Sequence, residues 1–126
     1  MNPSEHVLFY HLAQDKQDRY TELMKRLGIP CTVVDPSFGE NTLGSLLGYT
    51  GFPKPVSSPD AAFPGEMMIM AGFSSLRLDT LLASIRKAGL PPIPLKAMVT
   101  DTNIHWSLKT LFGHLLMEHM QMTGGQ

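Results

Sequence analysis

Two glycines set 61 positions apart punctuate this 126-residue chain in the same way. Gly28 ends a stretch in which Tyr20, Leu23, Met24 and Leu27 recur at the spacing of one helix face. Gly89 ends another, built on Leu78, Leu81, Leu82 and Ile85. A glycine just past a helix accepts the left-handed backbone that terminates it. Ahead of each helix lies a charge-free apolar run, Val7–Leu12 and Met67–Phe73, short and rich enough in apolar residues to read as a strand. After each glycine comes a second apolar segment, Pro30–Val34 and Ile93–Val99. At the offset of 61, Asp18 meets Asp79, Tyr20 meets Leu81, Met24 meets Ile85 and Pro30 meets Pro91. Duplication accounts for the match, and so does the common grammar of any two strand–helix units; the sequence leaves both open.

Two further helices complete the pattern. Asn41 or Thr42 caps a short one through Leu47, and Thr100, Thr102 or Asn103 opens the longest, to about Gln121. Between the halves, residues 48–65 are rich in Gly, Pro and Ser and read as one long exposed loop. The order predicts an α/β fold in a single domain over 1–126. Its expected core is a four-stranded, mainly parallel sheet with helices on both faces, built from two β-α-β-α halves. The first and third strands belong at the centre, because the fourth carries Pro94 and Lys96 and the second is short, traits tolerated best at an edge. A ferredoxin-like α+β sandwich is the alternative, reached if the long loop reverses the direction of the third strand.

Composition removes several function classes. Net charge is −1 with Lys and Arg scattered, which argues against a nucleic-acid-binding face. Cys31 is the single cysteine, so neither an internal disulfide nor a cysteine-based zinc site is expected. No apolar run approaches the ~20 residues that span a bilayer, and no basic leader precedes an apolar core. A cytoplasmic protein without membrane association is the expectation. No cofactor is implied.

His114, Glu118 and His119 invite a metal reading, but two histidines five apart on a helix point about 140° away from each other. No metal site is expected. The junction of Gly72 with Ser74 and Ser75 offers a helix start that holds either a plain cap or an anion. In a parallel sheet Ser74, Ser75, Thr100 and Asn103 converge at the carboxyl ends of the strands, with Lys96 supplying charge for a small anionic ligand. The last helix supplies a different candidate. Ile104, Leu108, Leu111, Phe112, Leu115 and His119 form its core stripe, which places Trp106, Gly113, Met117 and Met120 on nearly the opposite side. That side of an ordinary surface helix is polar, so either the long loop at 48–65 covers it or a homodimer or another protein partner does, with Gly113 allowing close approach. A non-enzymatic interaction or regulatory module is therefore the leading functional expectation and a small-ligand domain the alternative. An enzyme ranks behind both, since no nucleophile–base or carboxylate pair stands at readable spacing.

The segment Leu95-Lys96-Ala97-Met98-Val99-Thr100-Asp101-Thr102-Asn103-Ile104-His105-Trp106 resembles a small bacterial family called domain of unknown function 3783. Met70–Phe73 upstream and Glu118-His119 downstream share in the likeness. The matching positions are Lys96, Thr100, Asn103, Trp106, Glu118 and His119, and the similar segment runs from about Glu66 to Met122. Leu43–Gly51 is similar to the family's longer members. Asp101 stands where many members have proline. The family has no assigned activity, so the resemblance implies none. Elemental analysis of purified protein is expected to find no stoichiometric zinc; one zinc per chain, lost in His114→Ala, would refute the reading of the last helix as metal-free.

Overall fold

The computed structural model describes residues 5–124, with side chains described through His119. Strand β1 (His6–Tyr10) leads through helix α1 (Gln14–Leu27) to β2 (Cys31–Val34), and a 3-10 turn, Pro36–Phe38, precedes the one-turn helix α2 (Leu43–Leu46). After the long loop, β3 (Met67–Ala71), α3 (Ser75–Lys87) and β4 (Leu95–Met98) follow, then a second 3-10 turn, Asn103–His105, and α4 (Leu108–Gly124). The sheet order is β2-β1-β3-β4. β1 pairs parallel with β2 and β3 parallel with β4, while the central β1–β3 pair is antiparallel. The fold is thus α/β with an open, mixed, mostly parallel sheet, the expected strands are central, and the sandwich alternative is not needed.

Burial explains why β1 and β3 read as unbroken apolar runs. Val7, Phe9, Met68 and Met70 face a cluster with Tyr20, Leu23 and Met24 of α1 and Leu81 and Ile85 of α3. Leu8, Tyr10, Met67 and Ile69 face the opposite cluster, with Leu43 of α2 and Leu108 and Leu111 of α4. A central strand covered by helices on both faces has no polar side to show. The edge strands differ: Val33 is 42% exposed, and Cys31 is half-buried. Burial pushes the Cys31 thiol up, which keeps it protonated and unreactive near neutrality.

The two halves repeat as a two-fold rotation would repeat them. Leu8 pairs directly with Ile69, its own counterpart at the offset of 61. Gly28 and Gly89 both take left-handed backbone, at φ of 72° and 68°. So do His11 and Gly72, at 61° and 78°, again 61 positions apart. Glu5 pairs with Arg77 of α3, and its counterpart Glu66 pairs with Lys16 of α1, the counterpart of Arg77. Beyond Gly89 the second half is four residues longer, so from β4 onward the offset becomes 65. The crossing strands show it: the Leu43 amide donates to the Trp106 carbonyl and the Leu108 amide to the Asn41 carbonyl, both at 3.0 Å. Thr42 and Ser107, counterparts at that offset, form the bridge between them.

Three expectations need correction. α4 begins at Leu108, not at Thr100–Asn103, because Asn103–His105 forms a 3-10 turn and Trp106 is extended. Helical angles therefore do not apply to Trp106 or Ile104. The exposed loop is only partly so: Ala61 is fully buried and Phe63 nearly so, and the loop is tied to the first half by Asn41, which exchanges two hydrogen bonds with the Val56 backbone. Finally, the central strand pair is antiparallel, because that tethered loop carries the chain back across the sheet. Among the described residues no helix is long and apolar enough to cross a membrane. Truncating Leu8, fully buried at the two-fold, to Ala should cost about 2–5 kcal/mol in denaturant unfolding, whereas Val33→Thr on the edge should change stability by less than about 0.5 kcal/mol.

Candidate functional site

An open cleft of about 1010 Å³ lies at the carboxyl ends of β3 and β4. The antiparallel centre brings His6, at the start of β1, to this end of the sheet beside Ala71. The cleft is lined by His6, Gly72, Phe73 and Ser74 from the sheet, by Met98, Val99, Thr100, Asp101 and Ile104 after β4, and by Leu47–Thr50 from the start of the long loop. Its volume is that of small-molecule and cofactor sites. Among the described residues, Asp101, His6 and Tyr49 are the titratable groups on its wall, and no lysine or arginine joins them. Burial lowers the His6 pKa from its ordinary value, so its imidazole is neutral at pH 7 and shares a 2.8 Å hydrogen bond with the Thr32 hydroxyl. Tyr49 stands out because its hydroxyl is buried and has no hydrogen-bond partner. Such a group costs free energy unless something satisfies it.

The structure divides the expected site residues. Ser74 and Thr100 do line the cleft. Ser74 caps α3, its hydroxyl accepting from the Arg77 amide at 3.2 Å, and Ser75 is the first residue of the helix, exposed and outside the lining. Asn103 lies behind the wall as a structural clasp. Its side-chain carbonyl accepts from the Thr100 amide at 2.8 Å, its side-chain amide donates to the Met98 carbonyl at 2.9 Å, and the Thr100 hydroxyl accepts from the Asn103 amide at 3.0 Å. These bonds turn the chain sharply after β4 and set the rim on which Asp101 stands. Lys96 is exposed on the edge strand, where its ammonium donates to the Ile93 carbonyl at 2.9 Å, and it does not reach the cleft. His6 and Tyr49 escaped the sequence reading; only the antiparallel register brings the first, and only the course of the loop brings the second.

The expected interface residues also separate. Trp106 packs into the core cluster beneath α4 and stacks on His114, with ring centroids 4.2 Å apart. It is partly buried by the chain's own core and does not stand free on the surface of α4. Gly113 is open, and Met117 is 63% exposed. Leu116, 39% exposed, joins them at helical spacing. The side chain of Met120 lies outside the described residues. His119 is exposed, not part of the core stripe. Among the described residues no three His, Cys, Asp or Glu side chains cluster as metal ligands would.

Residues 66–122, a little under half of the chain, match the family described as domain of unknown function (DUF3783). The match spans β3, α3, β4, the second 3-10 turn and most of α4, which is the second of the two structural halves. No curated protein and no solved structure matches the chain.

Two outcomes follow from this wall. Asn103→Ala, which leaves buried backbone groups unpaired, should cost about 1–3 kcal/mol in denaturant unfolding, while Ser75→Ala stays within about 0.5 kcal/mol. His6 supplies a pH dependence. Its folded pKa lies below the unfolded value of about 6.5, so the unfolded chain binds the proton more readily and stability falls as pH drops below that value. Between about pH 7.5 and 5.5, above the carboxylate range, the melting temperature should fall for the wild type and fall less for His6→Gln.

Proposed function

We propose that this protein is a non-catalytic binding module, a single cytoplasmic domain whose ligand site is the cleft at the carboxyl ends of β3 and β4. The observation that carries the reading is a roomy cleft at the strand ends whose wall joins apolar side chains to polar edges. Apolar Leu47, Phe73, Met98 and Ile104 supply contact area, and Ser74 and Thr100 supply polar edges. The charge balance of the wall favours an uncharged or basic ligand over an anion, since among the described residues Asp101 faces no lysine or arginine there. A metabolite screen by thermal shift tests the reading. At least one uncharged or cationic compound should raise the melting temperature of the wild type and leave Thr50→Trp, which fills the rim, unmoved. Hits confined to phosphorylated or sulfated compounds, equally effective on Thr50→Trp, would contradict it.

A second reading has its own observation. Gly113, Leu116 and Met117 present an exposed apolar stripe on α4, and a side chain built at Gly113 meets no atom within 4 Å. Self-association through this stripe would make the protein a homodimer. With Trp106 turned inward the stripe lacks an aromatic anchor, which is why this reading ranks second. Light scattering decides it: a dimeric wild type that Met117→Glu converts to a folded monomer supports the interface, and a monomeric wild type at micromolar concentration refutes it.

A further inference from the structure

We infer that the open cleft takes an extended peptide segment bearing an aromatic side chain, from a partner chain; this rests on the cleft being the binding site. The ground for it is the first half of the same molecule. Each half has a cleft at the carboxyl ends of its own strands, and the wall positions Gly72, Ile104 and Leu47 of the open one correspond to His11, Gly39 and Phe112 of the other. Those three counterparts all touch the loop segment from Ala61 to Gly65. His11 Nδ1 donates to the Phe63 carbonyl at 3.1 Å, and the Phe63 ring stacks on Phe112 with centroids 4.7 Å apart. A side-chain carbon placed at Gly39 would stand 2.7 Å from the Ala61 carbonyl oxygen. The first cleft is therefore filled, and its occupant is a stretch of polypeptide anchored by phenylalanine.

The chemistry of that occupant transfers. Phe63 stacks on Tyr10 at 4.4 Å, and the buried Tyr10 hydroxyl accepts the Phe63 amide at 3.1 Å while lying 3.4 Å from its carbonyl. A phenol is thus satisfied by a peptide backbone. In the open half, Gly72 on the cleft wall stands at the position of His11, so the space that the His11 ring takes in the first half is left open. An aromatic side chain carried on a peptide backbone fills that space as Phe63 and its backbone fill the first cleft. Asp101 directs the choice toward uncharged or basic sequences.

The test uses the whole chain, isotope-labelled for NMR, and N-acetyl-phenylalanine methylamide, which is one aromatic residue with both flanking peptide groups. Saturable shifts are expected at the amides of Thr50, Phe73, Ser74 and Val99. The glycine analogue of the probe should bind at least about tenfold more weakly. Thr50→Trp and Gly72→His should each weaken the probe by a similar factor; His11 shows that histidine is tolerated at the left-handed position. Either variant suffices if the other does not fold. Equal binding of the glycine analogue, or shifts that map away from the cleft, overturns the proposal. If a thermal-shift ligand maps to the cleft while the phenylalanine probe does not, the peptide proposal falls and the cleft reading stands; if neither maps there, both fall.

Discussion

The antiparallel contact between β1 and β3 is the interaction on which everything else in this protein depends. Leu8 lies opposite Ile69 at its centre, both fully buried, and each strand carries its own parallel partner on the far side. A parallel two-stranded ribbon with helices cannot close a core by itself, because one strand edge and half of each apolar face stay open. Joining two such ribbons edge to edge completes both faces at once: α1 and α3 cover one, α2 and α4 the other. The ion pairs Glu5–Arg77 and Glu66–Lys16 lie at equivalent places and tie each strand's start to the other half's helix. For Glu66, burial raises the carboxyl pKa, but Lys16, the Ala13 amide and His11 together outweigh it, and the net shift is downward.

An antiparallel centre has a functional consequence. It places the carboxyl ends of β1 and β2 at one end of the sheet and those of β3 and β4 at the other, so two clefts form at opposite ends. The long loop must leave the first half and return to begin β3, and in doing so it fills the first cleft with Ala61 and Phe63. A side chain at Gly65 would collide with the Phe112 ring, and the backbone there has a φ of 136°, so glycine is required at both counts. The second cleft has no such loop after it, only α4. Asymmetry of function thus comes from a symmetric frame and a single connection.

Much of this frame was legible in the residues. The glycine stops, the offset of 61 and the placing of β1 and β3 at the centre all follow from local rules: left-handed caps, periodicity, and edge strands carrying proline and lysine. The direction of β3 was not legible, because a loop of nearly twenty residues can deliver a strand either way. The site suffered from the same gap. His6 and Tyr49 come from outside the segment that carries the family likeness, the first placed on the cleft wall by strand pairing and the second by the course of the loop, whereas Ser74 and Thr100 were within reach of strand-end reasoning. Trp106 was misjudged because a helical angle was assigned to a residue two positions before the helix starts, where an extended backbone turns it back onto the core. Lys96 stands on an edge strand, as its place beside Pro94 suggested, and its ammonium is satisfied on the nearest carbonyl instead of reaching the cleft.

The loop is the plug of the first cleft, and its absence from the second is what leaves that one open. Amide hydrogen exchange of Phe63, followed residue by residue, tests this most directly. Its amide donates to the buried Tyr10 hydroxyl, so it should exchange as slowly as the amides of Leu8, Phe9 and Tyr10 in the sheet. Exchange at the rate of the surrounding exposed loop would mean that Phe63 does not occupy the cleft, and the comparison between the two ends of the sheet would collapse.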